Sequence, residues 1–119
     1  MPYKRGDVVL VFFPDSNLRT AKRRPALVIQ ADDLNTGLPQ TIVAMITSNM
    51  SRADHPSRVK LLRNSPEGFQ AHILMDSVVM LDNVATVLAN EVDRVLGHLN
   101  EMTEVDSAHS QYIGCVAAD

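Results

Sequence analysis

The sequence of 119 residues is 45% hydrophobic and 21% charged, a balance typical of a soluble globular protein, and no apolar run approaches the roughly 18 residues of a membrane span. Its length fits one domain, which we expect to occupy residues 1–119. The single cysteine excludes an internal disulfide, and the N-terminus has no room for the apolar segment of a signal peptide, so we expect a cytoplasmic protein. The net charge of −3 argues against a generic nucleic-acid binder.

Apolar runs predict a succession of short strands along most of the chain. Residues 8–13 form a near-continuous run of β-branched and aromatic residues, typical of a strand buried on both faces, that Pro14 stops. Pro25 opens a second strand at 26–30, because proline is tolerated at the first residue of a strand. A third strand is expected at 41–47. Further strands are predicted at 58–62, 73–81, 84–88 and 94–99.

The C-terminal segment has a different period and predicts a helix. Asn100 is a candidate N-cap, and Glu101 and Glu104 supply the acidic first turn that the helix dipole favours. The apolar and aromatic residues of this segment recur at spacings of three and four, on one face. Because no helix separates the strands, the pattern favours a mainly β fold, a small closed barrel with a C-terminal helix and short helical elements, over a parallel sheet.

The basic residues are concentrated in the first half of the chain. Residues 1–63 hold ten of the eleven lysines and arginines against five acids, whereas residues 64–119 hold one base, Arg94, against nine acids. Four of the bases lie within 19–24, in a polar segment before the second predicted strand. This distribution allows one positive groove on an otherwise acidic protein.

Arg24 and Thr47 form a candidate site for a phosphate group. Arg24 lies at the junction of the basic segment and the second predicted strand, and Thr47 ends the third strand. Neighbouring strands joined by a turn can bring the start of one beside the end of the other. A guanidinium matches phosphate oxygens bidentately, and Lys22 and Arg23 would hold flanking phosphates. Taken alone the pattern is weak, since a basic loop is usually only solvated and a threonine at a strand end usually reflects β-propensity.

Short motifs along the chain resemble those of the MazF/PemK toxins, in the same order and at similar spacing. They are RGDV at 5–8, RPALVI at 24–29, IVAMITS at 42–48, DSVVMLD at 76–82, VATV at 84–87 and GHL at 97–99. The resemblance covers nearly the whole chain and implies a small SH3-like barrel of the CcdB/MazF type.

The resemblance also implies functional roles for individual residues. Arg24 matches an arginine held to be catalytic in several family members, and Thr47 matches a threonine held to steady the transition state. Asp82 aligns with an acidic position near the reacting group. We expect the substrate to be held by Arg19, Lys22, Arg23 and Ser48.

The sequence departs from the family pattern at three places. Met80 and Ala85 stand where other members carry arginines, and the segment 15–23 lacks the histidine of some members. The chain therefore fits a subgroup that depends on Arg24 and Thr47, or a weakened enzyme.

The implied activity is sequence-selective, metal-independent cleavage of single-stranded RNA, without a cofactor, by a homodimeric toxin. A cognate antitoxin protein would inhibit it, and the complex of the two would bind DNA. Two alternatives stay open. One is a non-enzymatic gyrase inhibitor of the same fold, although such relatives depend on a C-terminal Trp-Gly-Ile and this chain has no tryptophan. The other is a catalytically weakened RNA-binding relative.

Overall fold

The structure, a computed structural model, describes residues 3–14, 21–32 and 34–114. Six strands and two α-helices make up the described fold, together with 3-10 turns at Met50–Arg52 and Ala89–Glu91. The strands are β1 (Asp7–Pro14), β2 (Ala21–Val28), β3 (Gln40–Thr47), β4 (Arg58–Leu61), β5 (Ser77–Leu88) and β6 (Val92–His98), and the helices are α1 (Pro66–Ala71) and α2 (Thr103–Tyr112).

The six strands form one antiparallel sheet in the order β4-β5-β3-β2-β1-β6. The mainly β class with a C-terminal helix is confirmed, but the expected closed barrel is wrong, because β4 and β6 remain edges within the described residues. Helix α1, which follows β4, lies against β6 instead. Gly97 of β6 is so close to α1 that an added Cβ would be 2.3 Å from the carbonyl oxygen of Gln70.

Strand β2 begins earlier than predicted. The sequence indicated a loop up to Arg24, whereas β2 includes Lys22, Arg23 and Arg24, paired with β1 through Phe12–Arg23 and Phe13–Lys22. The guanidinium carbon of Arg23 lies 5.1 Å from the ring centroid of Phe12, a cation–π distance that favours this extension. Pairing of β2 with β3 starts only at Ala26–Met45.

The two strands predicted on either side of residues 82–83 are a single strand, β5. Its pairing with β3 jumps from Ala44–Val84 to Met45–Met80, so three residues of β5 are extra at this point. The predicted break is therefore a wide irregularity within one strand, which bends the sheet without ending it.

Both faces of the sheet are buried, as the near-continuous apolar strands predict. One face packs beneath the helices, with Val8, Leu27 and Val79 against Val105 and Ala108 of α2. The other face carries a second core cluster, which consists of Val9, Val11, Ala26, Val28, Val43, Met45, Ala53, Val78, Met80, Val87 and Val92.

Helix α2 begins at Thr103, so the predicted cap at Asn100 is wrong. Met102 occupies the N-cap position without a side-chain hydrogen bond, and Glu101 lies before the helix, where its carboxylate accepts the backbone N–H of Thr103 at 2.9 Å. That carboxylate bond replaces the expected asparagine cap. No helix in the described part of the chain is long and apolar enough to cross a bilayer.

Candidate functional site

A groove of about 970 Å³ opens at one end of the sheet, beside the second core cluster. Its wall is formed by β1, β2, the end of β3, the following 3-10 turn, the segment between α1 and β5, β5 itself, and β6. Arg24 and Thr47 both line it. The two residues that the sequence singled out are thus brought to one place.

The strand register explains why Arg24 and Thr47 meet. Each lies two residues beyond the Ala26–Met45 pair, in opposite directions along antiparallel strands. Side chains two residues apart on a strand lie on the same face, so Arg24 and Thr47 lie on the face of the sheet that carries Ala26 and Met45. Arg24 is exposed and Thr47 is half-buried.

The Thr47 hydroxyl is oriented by the turn that follows β3. Its Oγ1 accepts the backbone N–H of Asn49 at 3.2 Å. Asn49 in turn caps the 3-10 turn, and its Oδ1 accepts the N–H of Ser51 at 3.2 Å and the hydroxyl of Ser51 at 2.6 Å. A hydroxyl that accepts one bond still has its own proton to donate, so Thr47 is suited to bind an anionic oxygen in the groove.

The charged residues in the groove wall all have the same sign. They are Arg23, Arg24, Arg52 and Arg94, and no Asp or Glu lines the wall among the described residues. A water-filled cleft lined by one sign of charge concentrates ligands of the opposite sign. The positive charge of the groove therefore attracts an anion with more than one charged group, such as a nucleic-acid backbone.

Arg23 is positioned by contacts on both sides of its side chain. It stacks on Phe12 at 5.1 Å, and its Nε lies 3.8 Å from a carboxylate oxygen of Asp93 on β6. The weak contact with Asp93 leaves most of the guanidinium donors for a ligand.

Asp82 lies outside the groove wall, and its carboxylate binds Arg58. Nη2 and Nε of Arg58 donate to the two carboxylate oxygens at 2.9 and 3.4 Å. The hydrogen bonds from Arg58 lower the pKa of Asp82 below its usual range. Arg58 also donates to the backbone carbonyl of Arg52 at 3.0 Å. The predicted catalytic role of Asp82 is not supported by this placement and stays a prediction.

The predicted substrate-binding residues separate into three groups. Arg23 and Ser48 line the groove with Arg24 and Thr47. Lys22 is exposed on β2 but is not part of the wall, and Arg19 lies outside the described residues.

Met80 and Ala85, two of the three departures from the family pattern, differ in position. Met80 reaches the groove wall, so an arginine missing there changes the site. Ala85 is half-buried on β5, opposite Val43 of β3, and does not line the groove.

Three groove residues have no sequence signal that pointed to the site: Arg52, His72 and Arg94. Arg94 was noticeable only as the single base of the second half of the chain. His72 ends α1, a helix too short to stand out in the sequence. Among the described residues, no cluster of three or more His, Cys, Asp or Glu side chains is arranged to hold a metal ion.

Comparisons with known proteins agree with the motifs in the sequence. A family model described as "PemK-like, MazF-like toxin of type II toxin-antitoxin system" matches residues 4–111. Endoribonuclease MazF of Staphylococcus saprophyticus is 32% identical over 108 residues, which is 88% of this chain and 86% of the relative. Endoribonuclease MazF6 of Mycobacterium tuberculosis is 38% identical over 94 residues, which is 70% of this chain and 82% of the relative.

Solved structures share the fold over nearly the full length. An endoribonuclease in complex with its cognate antitoxin, from a mycobacterial species, has a TM-score of 0.73 at 19% identity and covers 98% of this chain and 99% of its own. A MazE–MazF complex from Deinococcus radiodurans gives 0.70 at 20% identity, with coverage of 98% and 100%. The family model and the sequence relatives together show that this chain belongs to the PemK-like, MazF-like toxin family of type II toxin–antitoxin systems.

Proposed function

We propose that this protein is an endoribonuclease toxin that cleaves single-stranded RNA in the arginine-lined groove, without a metal ion. The observation that carries the proposal is the joint presence of Arg24 and Thr47 in a groove whose charged wall residues are all arginines. The endoribonuclease names of sequence relatives support the same activity.

The proposed reaction is the attack of a ribose 2′-hydroxyl on the adjacent phosphorus, which leaves a 2′,3′-cyclic phosphate and a 5′-hydroxyl. Negative charge grows on the non-bridging oxygens in the transition state. Arg24 and Thr47 donate hydrogen bonds to those oxygens, and one such preorganised donor is worth about 3–4 kcal/mol. Arg24 also donates a proton to the leaving 5′-oxygen.

The other arginines of the wall suit the phosphates on either side of the cleaved bond. Arg23, Arg52 and Arg94 come from three different elements that surround the groove. Phosphate contacts of this kind fix the position of the strand and add affinity that falls with salt. Single-stranded RNA fits because bases that are not stacked in a duplex can enter the groove.

We propose a homodimer and a cognate antitoxin as the protein partners, and the cytoplasm as the location. Structural neighbours were solved in complex with an antitoxin. The rim of the groove also carries exposed apolar side chains, with Leu74 84% and Met75 60% exposed. Apolar surface of this kind is typical of a region covered by a partner, and an acidic antitoxin segment would complement the arginines.

The test is a cleavage assay on a long mixed-sequence single-stranded RNA, with the purified protein in the presence of EDTA. We expect cleavage at discrete sites, cyclic phosphate ends, and no cleavage of DNA of the same sequence. Arg24→Ala should lower the rate by at least about 100-fold while the circular dichroism spectrum is unchanged. Arg63→Ala is the matched control, because Arg63 is an exposed arginine that does not line the groove.

Two outcomes would favour the alternatives, and a third would overturn the assignment of the groove. RNA binding without cleavage would identify a weakened relative, and Met80 would be the first residue to examine. Inhibition of gyrase without any action on RNA would identify the non-enzymatic toxin. Wild-type cleavage rates in Arg24→Ala would overturn the assignment of this groove as the site.

A further inference from the structure

The proposed reaction needs a group that takes the proton of the 2′-hydroxyl, and the groove wall offers few. A guanidinium group is already protonated and cannot accept a further proton, and hydroxyls and amides are not basic near neutral pH. His72 is the one side chain of the described wall that carries an imidazole, whose neutral form has a nitrogen lone pair able to accept a proton. Apart from it, the charged groups of the wall are Arg23, Arg24, Arg52 and Arg94.

The backbone of His72 is held in place by helix α1. His72 is the C-cap residue, with φ 55° and ψ 38°, and its N–H is directed to the carbonyls of Gly68 and Phe69. The helix is itself seated on β6 through the close approach of Gly97 to Gln70. His72 is exposed and lines the groove, and its backbone is tied to α1 by the N–H bonds of the cap.

The carboxylates close to His72 in the chain lie outside the groove wall. Glu67 is an exposed residue of the first turn of α1, and Asp76 accepts the backbone N–H of Arg63 at 2.9 Å. Asp82 is bound by Arg58. None of the three lines the groove, so none competes with the imidazole for a proton there.

We propose that His72 is the general base of the reaction, an inference that rests on the proposed ribonuclease function. The neutral imidazole takes the proton of the 2′-hydroxyl while the oxygen forms its bond to phosphorus. The bond from phosphorus to the 5′-oxygen breaks, its electron pair stays on that oxygen, and Arg24 donates the proton. The proton on His72 then returns to Arg24 through water, which restores both groups.

The experiment measures single-turnover cleavage between pH 5 and 9, on a short RNA that contains one site mapped on the long RNA. His72→Asn is the first variant, because asparagine tolerates positive φ but offers no basic nitrogen. His72→Gly is the second, because glycine accepts φ 55° and leaves space for added imidazole. His55→Asn is the control, since His55 is hydrogen-bonded to Ser57 at 2.7 Å and does not line the groove.

We expect His72→Asn to be slower than wild type by about 100-fold or more at neutral pH. The wild-type rate should rise with pH as the imidazole loses its proton, because only its neutral form can act as a base, and this rise should be absent in the variant. Added imidazole should increase the rate of His72→Gly but not that of wild type. His55→Asn should keep both the rate and the profile.

Two results would overturn the inference and leave the proposed function intact. One is a wild-type rate and pH profile in His72→Asn. The other is a slower enzyme that keeps the wild-type profile and does not respond to imidazole, which indicates a structural role. Failure of the wild-type protein to cleave RNA at all would overturn the proposed function, and the assignment of His72 with it.

Discussion

Gly97 lies so close to Gln70 that β6 and α1 touch backbone to backbone. A Cβ at position 97 would be 2.3 Å from the Gln70 carbonyl oxygen and 2.7 Å from that of Ala71. Backbone atoms cannot move aside as a flexible side chain can, so only glycine fits here. This contact fixes the helix that carries His72.

Gly97→Ala is expected to lower stability by about 1–3 kcal/mol, because the helix must move away from the strand. Thermal unfolding followed by circular dichroism measures the loss. Gly37→Ala is the control, since Gly37 has a positive φ of 77° but no atom within 4 Å of an added Cβ, and it should cost only the backbone strain. A smaller loss for Gly97→Ala than for Gly37→Ala would contradict the contact.

The ion pair between Arg58 and Asp82 is expected to stabilise the protein in a pH-dependent way. Arg58 lowers the pKa of Asp82 in the folded state, so the unfolded state binds more protons at acidic pH. The contribution is therefore fully present above the ordinary carboxyl range, near pH 4, and is lost as the pH falls through the lower folded value.

Asp82→Asn should reduce stability by about 1 kcal/mol at pH 7, and the difference from wild type should shrink toward pH 2. Urea unfolding at several pH values measures it. The same variant tests the catalytic prediction for Asp82. We expect cleavage to be retained within a few-fold, and a loss of about 100-fold would instead assign this carboxylate to the reaction.

Thr47→Val is expected to slow cleavage by about 100-fold with little effect on RNA binding, because it removes a donor to the transition state and keeps the shape of the side chain. Thr47→Ser keeps the hydroxyl and should retain most of the activity. Single-turnover rates and binding by fluorescence anisotropy separate the two effects. Equal rates for the valine and serine variants would show that the hydroxyl takes no part.

Arg94→Gln is expected to weaken RNA binding and to reduce its dependence on salt. The loss of one phosphate contact lowers the slope of log affinity against log salt by about 0.7 for a single strand. The measurement is anisotropy titration at several salt concentrations, in a Thr47→Val background that cleaves too slowly to deplete the RNA during the titration. Arg63→Gln is the control and should leave the slope unchanged, because Arg63 does not line the groove. An unchanged slope in Arg94→Gln would show that Arg94 does not contact the RNA.

The sequence predicted the strands whose apolar runs are long, and the convergence of Arg24 with Thr47 followed from their order. The extension of β2 was missed because it depends on a cross-strand contact, that of Arg23 with Phe12, which no local pattern encodes. The single strand β5 was missed because the polar residues at 82–83 resemble a turn in the sequence. Only the pairing with β3 shows that they are extra residues within one strand.

The remaining groove residues could not be predicted for a related reason. Arg52 comes from a 3-10 turn, His72 from the end of a six-residue helix, and Arg94 from the far edge strand. Their meeting depends on how the sheet bends and where α1 docks, and both are tertiary properties. The family motifs pointed to Arg24 and Thr47, but not to these three residues.

The open edge of the sheet at β6 affects which side chains can reach the groove. Helix α1 packs on the edge strand β6, and His72 at its end lines the groove together with the arginines. Because β6 has no strand on its outer side among the described residues, a helix can pack there and bring the proposed base to the groove.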